Sequence, residues 1–310
     1  MKKRIIVALL LLVIFAGGFI PVTKSESFKI DASFYNVYHQ LISPESWLKW
    51  QRDLTVTTNA TEIKIDSNKA GFMITTPSLM LSVQNMGMGN FIVSKTQNRK
   101  TYNFNCVLTP ENKTNKTIAL ITRKTNIFGW IGTLVTKDGN QSPVSGLKTY
   151  MEDPGLYYGF TIKKEVAPEK LIVVKKGTFL NTNLFRDGNT MLEQLNSFIS
   201  KNNLEIVAHL QLQYVSAKKD STQIMLGFPV DKKVTPTNEV AYMTMPKGRI
   251  LVGYFSDRYK NKNKLYNAMR QYMNDNYIRP LIQPYERFDN NNLPSNENEI
   301  VNMQLVVPYM

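Results

Sequence analysis

The chain has 310 residues, 43% of them hydrophobic and 20% charged, which excludes a wholly disordered chain, a collagen-like repeat and a multi-span membrane protein. One cysteine, Cys106, excludes an intrachain disulfide and a cysteine-built zinc cage, and two histidines, His39 and His209, give no basis for expecting a metal or cofactor. The formal net charge of +14 is spread thinly along the chain, whereas nucleic-acid binding needs a concentrated basic face, so no nucleic-acid partner is expected.

Lys2, Lys3 and Arg4 precede Ile5–Ile20, an apolar run without a charge. A positive flank favours the cytoplasmic side of a membrane. As a helix the run spans about 24 Å, short of a hydrocarbon core of about 30 Å, and adding Pro21 and Val22 nearly closes the gap. Residues 1–24 are expected to be an anchor that makes the membrane a partner, single-pass, with the folded part extracytoplasmic. A cleavable signal peptide, with Ala16 and Gly18 as its small residues, is the alternative and leaves a secreted or periplasmic protein.

Residues 25–165 open on an alternating segment, Ser27–Ala32, that reads as a strand. Phe34, Val37, Tyr38, Leu41 and Ile42 then follow helical spacing, Pro44 bends the chain, and Trp47 and Trp50 stand one turn apart. Short strand-like runs between Thr61 and Arg123, punctuated by Asn, Gly and Pro, predict an antiparallel meander. Val144, Leu147, Tyr150 and Met151 predict a closing helix within Pro143–Asp153. The segment FKIDASFYNVYHQLISPESWLKW, together with SGLKTYMEDPGLYYGF, resembles the SRPBCC (START-like, helix-grip) superfamily. The resemblance implies a curved antiparallel sheet gripping a long C-terminal helix around an apolar cavity; Trp47 is a candidate to line that cavity, with core packing and loop anchoring as the alternative.

Residues 166–310 read as a duplication, with repeats at about 168–233 and 238–310. Lys176-Gly177 and Lys247-Gly248 are 71 residues apart, as are Tyr214 and Tyr285. Each copy is expected to hold a strand (170–179; 240–255), a helix (about 189–202; about 261–275) and two further strands, a βαββ plan. The polar stretch 289–298, DNNNLPSNEN, lengthens the second hairpin. The fold class expected is therefore α+β: a helix-grip sheet followed by a duplicated βαββ domain.

This duplicated plan, with PYERF at Pro284–Phe288 and the terminal EIVNMQLVVPY, resembles the GyrI-like family of effector-binding domains. Glu286 fills the family's usual acid position, and Phe288 replaces its usual tyrosine. The resemblance implies a groove that binds a small hydrophobic or cationic molecule. Candidate binding residues are Glu286, Tyr285, Tyr214, Tyr254, Phe255 and Phe288, because a poorly hydrated carboxylate among aromatic rings attracts a cation. As a plain structural acid, Glu286 would instead pair with Arg287, Arg249 or Arg279.

Three functions stay open. The first is a tethered extracytoplasmic protein that binds a small molecule in one or both cavities. The second is a hydrolase or cyclase using Glu286 as general acid or base; no other catalytic constellation is visible in the sequence. The third is a structural, partner-binding protein with cavities filled by side chains.

Overall fold

The computed structural model describes residues 20–55, 62–111, 114–127, 142–237 and 239–310. Ile5–Phe19 of the expected anchor or signal segment lies outside them. Among the described residues, no helix is long and apolar enough to cross a membrane. The chain divides into two units, Met1–Asp153 and Pro154–Met310.

In the first unit β1 (Pro21–Ile30) leads into three short helices: α1 (Phe34–Ile42), α2 (Pro44–Trp50) and α3 (Arg52–Thr55). Two serines set the boundaries. The Ser33 hydroxyl accepts the Asn36 N–H at 3.2 Å and starts α1. Ser43 accepts the Ser46 N–H at 3.3 Å and starts α2, where Pro44 fills the first turn without losing a hydrogen bond. Six strands follow: β2 (Lys64–Asn68), β3 (Gly71–Thr75), β4 (Leu79–Gly87), β5 (Asn90–Gln97), β6 (Lys100–Pro110) and β7 (Thr117–Asn126). They run as the expected meander, and β7 returns beside β1, giving the antiparallel order β1-β7-β6-β5-β4-β3-β2. Asn98 and Arg99 both take positive φ (51° and 63°), the primed geometry that suits a two-residue hairpin turn between β5 and β6.

The sheet buries alternate residues, among them Phe72, Ile74, Leu81, Val83, Phe91, Val93, Phe104 and Cys106. Against the strands pack α1 (on β4 and β6), α2 (on β3) and the closing helix α4 (Ser145–Glu152, on β1). The position of α4 matches the spacing of Leu147, Tyr150 and Met151. At two turns, it is short of the long helix that the helix-grip resemblance implies.

The second unit begins earlier than the sequence boundary at 165/166. After α5 (Pro154–Tyr157), β8 (Ile162–Ala167) pairs with β13 (Gly248–Arg258), so residues 154–165 belong to this unit. The remaining elements are β9 (Lys170–Leu180), α6 (Leu184–Lys201), β10 (Leu210–Ala217), β11 (Ser221–Val230), β12 (Ala241–Met245), α7 (Asn263–Asp275), β14 (Tyr285–Phe288) and β15 (Ile300–Tyr309). The single strand expected over 240–255 is two, β12 and β13, because Pro246 has no N–H to continue a ladder.

All eight strands form one antiparallel sheet, in the order β12-β9-β11-β10-β14-β15-β13-β8. Exchanging the two copies reverses this order onto itself, which is the signature of an approximate dyad. The fold is a duplicated βαββ architecture, with one added strand per copy: β8 lies on the second copy and β12 on the first. The repeat interval differs from the one expected. Lys170 and Gly248, which open β9 and β13, are 78 residues apart, and so are Asn181 and Tyr259. The interval changes afterwards because α6 has 18 residues and α7 has 13, while the β14–β15 loop absorbs an insertion at the polar stretch near residue 290. Tyr214 and Tyr285 are not counterparts.

The helices share one face of the sheet. Met191, Leu192, Leu195 and Ile199 of α6 and Leu265 and Met269 of α7 form a core with Leu210, Leu212, Ile224, Phe255, Phe288 and Met303. The opposite face carries a smaller cluster around Ile172, Val174, Ile250, Val252, Tyr285 and Val306.

Candidate functional site

At the centre of the sheet β10 pairs with β14, and Leu212 stands directly opposite Glu286. Side chains alternate along β14, so Glu286 and Phe288 point to the helix face, while Tyr285 points to the other. Glu286 is completely buried.

The chain supplies its partners from the entry to α7. A 3-10 turn, Tyr259–Asn261, runs into the helix, and Tyr259, Lys262 and Tyr266 recur at helical spacing on one face. Tyr259 donates its hydroxyl to Glu286 Oε2 at 2.6 Å. Tyr266 donates to Oε1 at 2.8 Å, and Lys262 Nζ donates to the same oxygen at 2.8 Å. Lys262 also donates to the hydroxyl oxygens of Tyr214 (2.7 Å) and Tyr259 (2.8 Å), which uses all three ammonium protons. Tyr214 and Tyr259 are 2.8 Å apart. Since the Tyr259 proton is given to Glu286, this bond runs from Tyr214 to Tyr259, and the chain Tyr214–Tyr259–Glu286 points its donors toward the acid.

The ammonium also lies over aromatic faces, 4.1 Å from the Tyr214 ring centroid, 4.2 Å from Tyr259 and 6.0 Å from Tyr266. Burial, and then the charge of Glu286, pushes the phenols of Tyr259 and Tyr266 well above the ordinary tyrosine range. Tyr214 is raised for the same two reasons, partly offset by Lys262. All three stay protonated at neutral pH. The result is an aromatic cage with a carboxylate at its base and an ammonium inside.

A cleft adjoins the cage, lined by Leu184, Phe185, Leu212, Tyr214, Tyr259 and Leu293 among others. Its free volume is about 20 Å³, close to the space one water needs. Glu286 does not line it. The sequence reading placed the acid in an open groove; here the acid is wholly buried and paired with Lys262, whose side chain is 17% exposed.

The other candidates divide by face. Tyr285 is buried on the far side and donates to Met245 Sδ at 3.7 Å, lining a separate shallow cleft with Gln211, Gln213 and Met225. Tyr254 shares that side and donates to Glu165 at 3.1 Å. Neither reaches Glu286, because neighbouring strand residues point to opposite faces. Phe255 and Phe288 are on the correct face as core: Phe255 stacks on Phe160, and Phe288 packs 6.3 Å from Tyr259. Arg287 does not pair with Glu286; it donates to Gln304 at 2.9 Å from Nε. Tyr259, Lys262 and Tyr266 were missed, although their spacing in YKNKNKLY was readable.

In the first unit Trp47 is fully buried and is not among the residues lining the cavity beside Leu41 and Phe72. Its indole donates to Leu41 O at 3.0 Å, and its ring packs on Trp50 and Phe72, fixing the bend between α1 and α2. A cavity in that unit holds about 330 Å³ and is lined by Leu41, Pro44, Glu45, Lys69, Phe72 and Asn85, among others. Burial pushes the Cys106 thiol up to about 12, which removes it as a nucleophile.

No family model and no curated protein matches the sequence. Solved structures similar to the chain include EcmrR in complex with DNA (12% identity, 58% of this chain and 75% of that chain, TM-score 0.41). Others are a hydrolase from Listeria innocua (11% identity, 48% and 91%, TM-score 0.36) and SAV2435 bound to tetraphenylphosphonium (9% identity, 48% and 93%, TM-score 0.33).

Proposed function

We propose that the second unit binds a small hydrophobic or cationic molecule at the pseudo-dyad, in the cleft walled by Tyr214 and Tyr259. The observation that carries this reading is the cage itself: three tyrosines and a wholly buried carboxylate arranged around one ammonium. Ring faces contribute about 0.5–2 kcal/mol to holding a cation, and a desolvated carboxylate adds direction. The reading is tested by titrating the full chain with tetraphenylphosphonium and with neutral diphenylhexatriene. Saturable binding of either probe, weakened by Tyr214→Ala, is the expected result.

A second reading, a structural domain whose groove is filled by its own side chains, is favoured by the small free volume of the cleft. Absence of saturable binding for both probes would support it over the first.

Lys2, Lys3 and Arg4 ahead of an uncharged Ile5–Ile20 support a chain tethered to, or passed across, a cytoplasmic membrane. In bacterial spheroplasts expressing the full chain, added protease is expected to digest both units; full protection would overturn this. For the first unit, the meander, the α1–α2 bend and the cavity beside it support a helix-grip domain that takes a small molecule.

A further inference from the structure

We propose that Lys262 is a tethered ligand, an alkylammonium supplied by the chain itself that holds the Glu286 cage closed and must withdraw before an external alkylammonium can enter. This deepens the reading of the second unit as a ligand-binding domain and rests on it.

Three independent observations point to this. The first is completeness. Lys262 Nζ meets Glu286, Tyr214 and Tyr259 at 2.7–2.8 Å and lies over two ring faces within 4.2 Å, so every feature that would recognise a guest ammonium is already satisfied by an internal one. The second is asymmetry. In the first copy, the residue 78 positions before Lys262 is Leu184, and the residue paired across the dyad from Glu286 is Leu212; both line the cleft. The fold therefore accommodates an apolar pair at this place, and acid and ammonium occur together in one copy only. A buried ion pair is a poor device for stability, since an apolar pair of similar volume does as well or better. The third is freedom to leave. Lys262 caps the start of α7, between the exposed Lys260 and Lys264, and its side chain retains partial access to solvent. Rotation about its stem carries the ammonium to water without moving the backbone.

With the cage self-occupied most of the time, the affinity for an outside cation is reduced by the fraction of molecules in which it stands empty. Lys262→Ala removes the atoms from Cγ to Nζ, and n-propylammonium replaces those atoms. Calorimetry on the full-chain variant is expected to show n-propylammonium binding on the order of 10- to 100-fold tighter than to the wild type. Propanol, which has the shape without the charge, is expected to bind neither, and adding Glu286→Gln to the variant is expected to abolish the gain. Equal affinity of wild type and variant for n-propylammonium, or a gain that survives Glu286→Gln, overturns the proposal.

Should Lys262→Ala fail to fold, the wild type carries the test. In a chain labelled with ¹³C-lysine, excess n-propylammonium is expected to move the Lys262 ε-carbon resonance toward those of exposed lysines, and an unmoved resonance overturns the proposal. The two readings fail separately. Binding of diphenylhexatriene without any ammonium gain rejects the tethered ligand and keeps the binding domain. An ammonium gain without binding of either larger probe rejects the apolar cleft as a ligand site.

Discussion

Leu212 and Glu286 face each other in register across the seam between β10 and β14, so one position of the pseudo-dyad holds an apolar side chain and its partner holds a wholly buried acid. Removing either member of the ion pair strands the other. Lys262→Met leaves a buried carboxylate without its countercharge and is expected to cost about 3–5 kcal/mol. Glu286→Leu strands an ammonium that can turn toward water and is expected to cost less, about 1–3 kcal/mol. The double variant Glu286→Leu/Lys262→Met restores an apolar pair and is expected to fall within about 1 kcal/mol of the wild type. Urea denaturation of the four proteins checks this; costs that simply add would deny the coupling.

Tyrosines on the two sheet faces give a sharp contrast. Tyr259→Phe removes the donor to Glu286 Oε2 and the acceptor for Tyr214 and Lys262, and it is expected to destabilise by about 1–3 kcal/mol. Tyr285→Phe loses a long contact to Met245 Sδ and is expected to cost less than about 1 kcal/mol. Comparable losses in chemical melts would place both hydroxyls in one network, against the alternation of β14.

Much of the architecture was legible because it is written in short-range chemistry. Ser33, Ser43 and Pro44 mark helix starts, the alternating residues of β3–β7 mark one buried face, and Met191, Leu195 and Ile199 mark the buried side of α6. The duplication was legible as an order of elements but not as a register. Insertions and a shorter second helix break any constant interval, so Tyr214 matched Tyr285 by coincidence of spacing. The site was half legible. Glu286 stood out as an acid among aromatic residues, yet its partners lie 20 to 27 positions earlier, and pairing at that range depends on how α7 crosses the sheet. Tyr285 was grouped with it by nearness in sequence, which in a strand separates side chains onto opposite faces, and Tyr254 by its place on β13, where it faces the same far side as Tyr285.

The phenols give the second unit an alkaline limit. Burial, and then the carboxylate of Glu286, raises Tyr259 and Tyr266 above the unfolded value of 10.0. A raised folded value means that the native state keeps its proton where the unfolded chain has lost it. The stability contribution is therefore complete below about pH 10 and declines as pH rises beyond it. Urea melts from about pH 8 to about pH 11 are expected to be flat at first and then to fall, with a smaller slope in Tyr266→Phe. Phenolate absorbance is expected to lag behind that of free tyrosine until the protein unfolds; titration of all tyrosines near pH 10 in the folded state would refute the buried network.

The first unit can be probed through two glycines that differ in what surrounds them. A Cβ on Gly146, in the first turn of α4, would stand 2.4 Å from the carbonyl oxygen of Trp50, so the closing helix lies against the end of α2 with no room for a methyl group. Backbone cannot retreat as a side-chain tip can, and Gly146→Ala is expected to cost about 1–3 kcal/mol as α4 is pushed outward. Gly87 has nothing within 4 Å of its would-be Cβ but takes φ of +86°. Gly87→Ala therefore meets backbone strain alone, about 1–2 kcal/mol, and leaves the helices in place. Tryptophan fluorescence separates the two. Trp50 sits at the contact with Gly146, so Gly146→Ala is expected to shift the native emission, while Gly87→Ala lowers stability with the native spectrum unchanged. A native spectrum untouched by Gly146→Ala would mean that α4 does not press on Trp50.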